Sequence, residues 1–362
     1  MLEGIRIVEV EALGPAPFAG MMLADLGAEV IVVHRRVPAG TPGMGERSLL
    51  DRGKRSIALD LKDPQDLAVL EALVARADGL IEGFRPGVME RLGMGPEAAH
   101  ALNPALVYGR MTGWGQEGPR ATQAGHDLNY IGLSGALWYA SPPGTPPLTP
   151  PTLVGDIGGG ALYLVAGMLA GLLKARASGG GSVVDAAIVD GSAHMMALLM
   201  SMAPQGAVSM TRGRSLLDGP HWCRTYVCAC GGFVTVQCLE RKFYDAFLDR
   251  MGLADDADFA DQFDADRWPR LVARLAGLFA QKSRDDWAAH FEGSEACVAP
   301  VLDPEEAARD PHLTARGTWV RAESGLQPAP APRFDGHAAP LRPAPARGEH
   351  GAEIRAWLRE TA

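Results

Sequence analysis

Through the first 110 residues, short apolar runs rich in β-branched residues alternate with stretches whose apolar residues recur at helical spacing. This alternation most narrows what the chain can fold into. Ile5-Arg6-Ile7-Val8-Glu9-Val10, Glu29-Val30-Ile31-Val32-Val33, Ile57-Ala58-Leu59-Asp60-Leu61, Gly79-Leu80-Ile81-Glu82-Gly83-Phe84 and Leu106-Val107-Tyr108-Gly109-Arg110 read as strands. Between them, Pro15 to Leu26 reads as a helix with proline in its first turn. Asp63-Pro64 opens another through Leu67, Val69, Leu70, Leu73 and Val74. Strands separated by helices pair in parallel, so the expected fold class is α/β with a Rossmann-like, mainly parallel sheet in a large domain. The turn after the first strand, Glu11-Ala12-Leu13-Gly14-Pro15, is not a GxGxxG fingerprint, and a dinucleotide is not indicated.

Further along, Ser182 to Val189 resumes strand character after three glycines, and Phe233 to Gln237 reads as a strand in a smaller α+β domain. Helical patterns follow at Phe243 to Met251 and Trp268 to Phe279. Prolines and alanines break up Gln327 to Arg347 before a terminal helix around Ile354 to Leu358. The longest apolar run, Ile157 to Leu173, holds five glycines and reads as a buried helix rather than a membrane span.

Charge is informative by its distribution. A net charge of −9 argues against general nucleic-acid binding, yet between Ile31 and Lys62 seven Lys/Arg face three Asp/Glu. That reversal points to an anionic ligand near the N-terminal third. An odd number of cysteines (five) fits a reducing compartment. The gaps among Cys223, Cys228, Cys230 and Cys238 do not make a zinc ribbon, so no metal is expected. The N-terminus opens directly into a strand pattern, and Arg359-Glu360-Thr361-Ala362 is not a peroxisomal tripeptide; the expected location is cytoplasmic.

Two segments carry chemistry: Gly125-His126-Asp127-Leu128-Asn129-Tyr130, and Val154-Gly155-Asp156-Ile157-Gly158-Gly159-Gly160. Each sets an ionisable side chain beside glycine at the mouth of an apolar, helix-like run. His126 can take or give a proton near neutral pH, and Asp156 is suited to the opposite role. The plain alternatives are that His126 is a satisfied polar residue and that Asp156 caps a helix. Arg52, Lys54 and Arg55 serve equally well as ligands of an anion or as ordinary charged residues.

These segments resemble those of the α-methylacyl-CoA racemases, in the family III CoA-transferase superfamily. Leu2-Glu3-Gly4-Ile5-Arg6-Ile7-Val8-Glu9, Arg52 to Lys62, Gly83-Phe84-Arg85-Pro86-Gly87-Val88 and Met111-Thr112-Gly113-Trp114-Gly115 match the same pattern in order. The resemblance implies epimerisation of 2-methylacyl-CoA thioesters by proton transfer through an enolate, with His126 and Asp156 as the acid/base pair and Glu240 orienting the histidine. It implies no cofactor, coenzyme A being part of the substrate. It places CoA against Arg35, Leu59, Lys62, Gly83, Phe84, Arg85, Arg91, Gly125, Asp127 and Tyr130, and the acyl chain on a surface of Met195, Met196, Met200 and Met202. It also implies an interlocked homodimer, with residues 1–190 and 330–362 as the large CoA-binding domain, 225–310 as the small domain, and 191–224 and 311–329 as linkers.

Two departures bear on the substrate tail: Thr152 stands where such racemases have asparagine, and His221-Trp222-Cys223-Arg224 is bulkier than usual. Two rival readings stay open. In a CoA-transferase, Asp156 would be the covalent nucleophile; in an idle protein, CoA thioesters would only bind. The segment Gln237 to Arg241 lacks the glycine run of many transferases and supplies Glu240, which favours the racemase. Retention of His126, Asp156 and Glu240 together argues against an idle protein.

Overall fold

Ile7 and Val8 are consecutive in the first strand and pack into different apolar cores, one on each face of a sheet. That is why the strands read as continuous apolar runs. The computed structural model describes residues 1–38, 40 and 47–360; Glu46, Thr361 and Ala362 lie outside the described residues. The sheet comprises β1 (Arg6–Val10), β2 (Glu29–Arg35), β3 (Arg55–Leu59), β4 (Gly79–Glu82), β5 (Val107–Thr112) and β6 (Ser182–Ala187). Their order is β3-β2-β1-β4-β5-β6, and every neighbouring pair is parallel.

The crossovers carry α1 (Pro15–Asp25), α2 (Pro64–Val74), α3 (Val88–Arg91) and α4 (Pro96–Leu102). After β5 come α5 (Asp127–Ser134), a π-helical segment Leu153–Ala161, and α6 (Leu162–Ser178); α7 (Ile188–Met195) follows β6. The start of α2 is set locally: Pro64 occupies its first turn, and the Asp63 carboxylate accepts the Gln65 N–H at 2.8 Å. Leu70, Leu73 and Val74 of α2 fill one core, whereas Ala16, Ala19 and Leu23 of α1 fill the other with Leu164 and Met168 of α6. Truncating one such leucine to alanine costs about 2–5 kcal/mol.

Two local readings change. Strand character ends at Ala187, and Ile188 and Val189 enter α7 despite their β-branching. Packing overrides propensity here, because Gly191 lies against the backbone of Gly159, where a Cβ would come 1.9 Å from the Gly159 carbonyl oxygen. The apolar helix is also longer than Ile157 to Leu173. Leu153–Ser178 is 26 residues, long and apolar enough by composition to cross a membrane. In the fold Leu164, Val165, Met168, Gly171 and Leu172 are buried, and α6 packs on β5 and β6.

The chain divides into two compact units. Residues 1–136, 150–195 and 317–362 form the first, which holds the parallel sheet; residues 137–149 and 196–316 form the second. The second unit therefore takes in 137–149, from within the expected large domain, and 196–224, most of the expected linker 191–224. It contains an antiparallel sheet ordered β7 (Cys223–Val227), β8 (Phe233–Gln237), β9 (Val298–Pro300), with helices Arg241–Met251, Trp268–Phe279 and Arg284–Phe291. Its core is aromatic, built around Trp222, Tyr244, Phe247, Phe279 and Trp287. Cys228 and Cys238 are buried there as free thiols.

Candidate active site

In an open parallel sheet the loops diverge where the winding reverses, and ligands bind in the crevice beyond the C-terminal ends of the strands. Here the reversal falls between β1 and β4. A cavity of about 310 Å³ opens at that point, walled by Leu13, Gly14 and Pro15 after β1, Gly83 to Pro86 after β4, and Met111 to Trp114 at the end of β5. Gly125, His126, Tyr130 and Asp156 also line it.

His126 is the residue preceding α5. Its backbone is extended, its N–H donates to Asn129 Oδ1 at 3.0 Å, and its carbonyl accepts the Asn129 N–H at 2.8 Å. This exchange anchors the helix start while the imidazole stands on the exposed rim. One turn on, the buried Tyr130 donates its hydroxyl to the Gly125 carbonyl and meets Trp114 edge-on, with ring centroids 4.7 Å apart. The residue before His126 is thereby braced.

Asp156 lies in the π-helical segment. Its N–H donates to Asp127 Oδ1 at 2.8 Å. Gly155 permits that approach, since a Cβ there would sit 2.4 Å from the same oxygen. The Asp156 carboxyl faces Gly14, where a Cβ would lie 3.6 Å from Oδ2. Burial first, then the negative charge of Asp127, pushes Asp156 up to about 6, against the opposing pull of His126. A carboxyl so placed keeps its proton on about a tenth of molecules at pH 7 and on about half of them at pH 6.

A second cavity, of about 640 Å³, is lined by Arg35, Arg36, Leu59, Lys62, Phe84 and Arg85 among others, so the two cavities share Phe84 and Arg85 as a common wall. The Arg35 guanidinium stands over the Phe84 ring, 5.9 Å from its centroid. The shared loop is held from below by buried Glu82, which accepts the Phe84 N–H at 2.7 Å and Arg110 Nε–H at 3.1 Å. Among the described residues, the side chains of Arg35, Lys62 and Arg85 pair with no carboxylate, which leaves their charge for an anion.

The structure thus gathers Gly83, Phe84, Arg85, Gly125, Tyr130, His126 and Asp156 at the first cavity, and Arg35, Leu59 and Lys62 at the second. Arg91 is exposed at the end of α3 and lines neither. Asp127 is buried, and its Oδ1 accepts the Asp156 N–H. Glu240 belongs to the second unit, exposed just before helix Arg241–Met251. Met195, on α7, is exposed in the first unit, whereas Met196, Met200 and Met202 are half-buried in the second.

Packing accounts for the three basic residues whose role the sequence leaves open. Arg52 pairs with Asp25 at 2.6 Å, Lys54 with Glu9 at 2.6 Å, and Arg55 with Glu29 and Glu353, each at 2.7 Å. Much of the basic excess is therefore internal ion pairing. The bulk at His221 and Trp222 serves the aromatic core of the second unit: His221 Nε2 meets the Tyr244 hydroxyl at 2.8 Å, and burial pushes His221 down to about 3. The loop Leu13-Gly14-Pro15, which the sequence reading did not place in the site, also walls the cavity; it follows the central strand of a sheet ordered 3-2-1-4-5-6.

Comparison with known proteins shows the family. The family model described as CoA-transferase family III matches residues 2–351. The α-methylacyl-CoA racemase of Mus musculus is 40% identical, covering 98% of this chain and 92% of the relative; that of Homo sapiens is 39% identical with the same coverage. A crystal structure of a CAIB/BAIF family protein from Brucella suis superposes with a TM-score of 0.83 at 27% identity over 98% of each chain.

Proposed function

The chain belongs to the CoA-transferase family III, and from that premise we propose that it epimerises 2-methylacyl-CoA thioesters, R to S and back. One observation carries the reading: His126 and Asp156 line a single cavity whose Phe84-Arg85 wall continues into a cation-lined groove. An α-proton beside a thioester is weakly acidic, so its removal needs a positioned base and a donor for the enolate oxygen. In one direction His126 takes the proton and Asp156 returns one to the opposite face; in the other the roles reverse. A carboxyl that titrates near 6 suits both halves of this exchange. The N–H of Asp127, in the first turn of α5, is the donor assigned to the enolate oxygen.

Coenzyme A carries a pyrophosphate and a 3′-phosphate, and we assign these to Arg35, Lys62, Arg85 and Arg91, with Leu59 offering its backbone to the adenine. Gly83 and Gly125 line the passage of the pantetheine, and no cofactor is invoked beyond the substrate's own coenzyme A. We assign Glu240 the orientation of the His126 imidazole across an interlocked homodimer, so that each site is completed by Glu240 of the partner subunit. The cytoplasmic setting belongs to the same reading, in keeping with five free cysteines.

The deciding experiment incubates one enantiomer of a 2-methylacyl-CoA in D₂O and follows α-deuterium uptake and chirality together. Exchange with loss of chirality is expected. No exchange over several chain lengths, with a thioester trapped on Asp156, would replace this reading with CoA transfer.

A further inference from the structure

His126 and Asp156 stand on different elements, so something must hold the gap between them. Asp127 follows His126 directly in sequence, as the first residue of α5, and its carboxylate reaches across to the π-helical segment to accept the Asp156 N–H at 2.8 Å. It is 7% exposed, and Gly155 lies directly against it. The backbone at this point departs from an ordinary helix: the Ile157 N–H bonds to the Thr152 carbonyl, five residues back, at 3.0 Å. The wide turn frees the Asp156 N–H, and a side chain from a neighbouring helix takes it up. A buried carboxylate accepting a backbone N–H is a strong, directional tie.

We propose that Asp127 is a positioning residue that clamps the two proton-transfer groups together, bonded covalently to one and through its carboxylate to the backbone of the other. This rests on the acid/base roles assigned above. The clamp also brings a charge. Asp127 of α5 and His126 just before it are the titratable groups acting on the Asp156 carboxyl; Tyr130 of the same helix and Arg85 of the loop after β4 share the cavity. At the start of α1, Gly14 before it and Pro15 in it face the site and carry no charge. Asp127 thus fixes the position of Asp156 and favours its protonated form, two effects that separate on substitution.

Asp127→Asn keeps an acceptor oxygen and removes the charge, whereas Asp127→Ala removes both. For Asp127→Asn, the limb of the pH–rate profile due to Asp156 is expected to move to lower pH by about half a unit to one unit. For Asp127→Ala, kcat is expected to fall at least about tenfold further than for Asp127→Asn, with KM within about threefold, the pattern of lost transition-state geometry. Superimposable pH profiles for Asp127→Asn and the parent, or equal kcat for the two variants, would overturn the proposal. A ¹³C-carboxyl titration of Asp156 by NMR in parent and Asp127→Asn proteins reads the charge effect without turnover. If the parent protein exchanges no α-proton, the functional reading fails while that titration still decides the clamp.

Discussion

The Lys54 ammonium lies 2.6 Å from a carboxylate oxygen of Glu9, and both side chains are enclosed by protein. Glu9 sits on β1, facing α1, where the Lys54 ammonium also donates to the Pro17 carbonyl at 3.1 Å and to Asp51 at 3.4 Å. Burial pushes Glu9 up to about 7, and Lys54 is the group that opposes it. The pair ties the segment before β3 to β1 and α1, and so helps set the loop after β1 that walls the cavity.

Removing one partner of a buried pair strands the other charge. Lys54→Met is therefore expected to lower stability by about 3–5 kcal/mol. The double variant Glu9→Gln/Lys54→Met should recover much of that loss, since no unpaired charge remains. Urea denaturation of the parent, both single variants and the double variant measures the coupling. A double variant no more stable than Lys54→Met alone would mean that volume and local hydrogen bonds, rather than the ion pair, hold this site.

Arg85 should behave in the opposite way. It is exposed, walls both cavities and has no carboxylate partner among the described residues. Losing a charge-assisted contact to phosphate costs about 1.5–3 kcal/mol, or roughly 10- to 100-fold in affinity. Arg85→Ala is thus expected to raise KM by that factor with kcat within about threefold, and to leave the thermal midpoint almost unchanged. Steady-state kinetics and a melt on the same preparation check both halves. Arg91→Ala maps the reach of the groove, because a KM rise equal to that of Arg85→Ala would extend the binding surface along α3.

The contrast between Lys54 and Arg85 shows what was legible in the sequence. Strand cores such as Ile7-Val8 and Val30 to Val33 stand out because a sheet covered on both faces demands continuous apolar runs. A lysine carries no local mark of its partner: Glu9 and Lys54 are 45 residues apart, and only the parallel stacking of the sheet joins them. The same holds for Asp127, whose sequence context shows a helix start while its bond to Asp156 spans 29 residues. Leu13-Gly14-Pro15 was overlooked for a different reason. Its role follows from strand order, which no local pattern encodes. His126 and Asp156 stand out in the sequence because each lies beside glycine in a distinctive motif, and both line the first cavity.

The pH dependence of kcat/KM should be shared by the two enantiomers. Asp156 titrates near 6, above the ordinary aspartate range, with burial as the leading cause. One direction starts from neutral His126 and protonated Asp156, the other from protonated His126 and ionised Asp156. The two forms hold the same number of protons, and interconversion of the enantiomers consumes none. Both directions should therefore follow one bell-shaped profile, with one limb near pH 6 set by Asp156. Initial rates for each pure enantiomer, from about pH 5 to about pH 8, test this, and a profile with no limb near 6 would remove Asp156 from the proton-transfer pair.

Thr152 offers a test that separates backbone strain from substrate choice. It precedes the π-helical segment at φ 64°, a left-handed conformation that a β-branched residue adopts only under strain. Asparagine tolerates that region far better, which gives a backbone reason for the asparagine expected there in the racemases this sequence resembles. Thr152→Asn should therefore stabilise the protein by about 1 kcal/mol, raising the thermal midpoint by about 1–2 °C. If the position acts only through the backbone, the ratio of kcat/KM between short and long 2-methylacyl chains should stay constant. A changed ratio without any gain in stability would make Thr152 a contact of the acyl tail, and the strain would then be maintained for specificity four residues before Asp156.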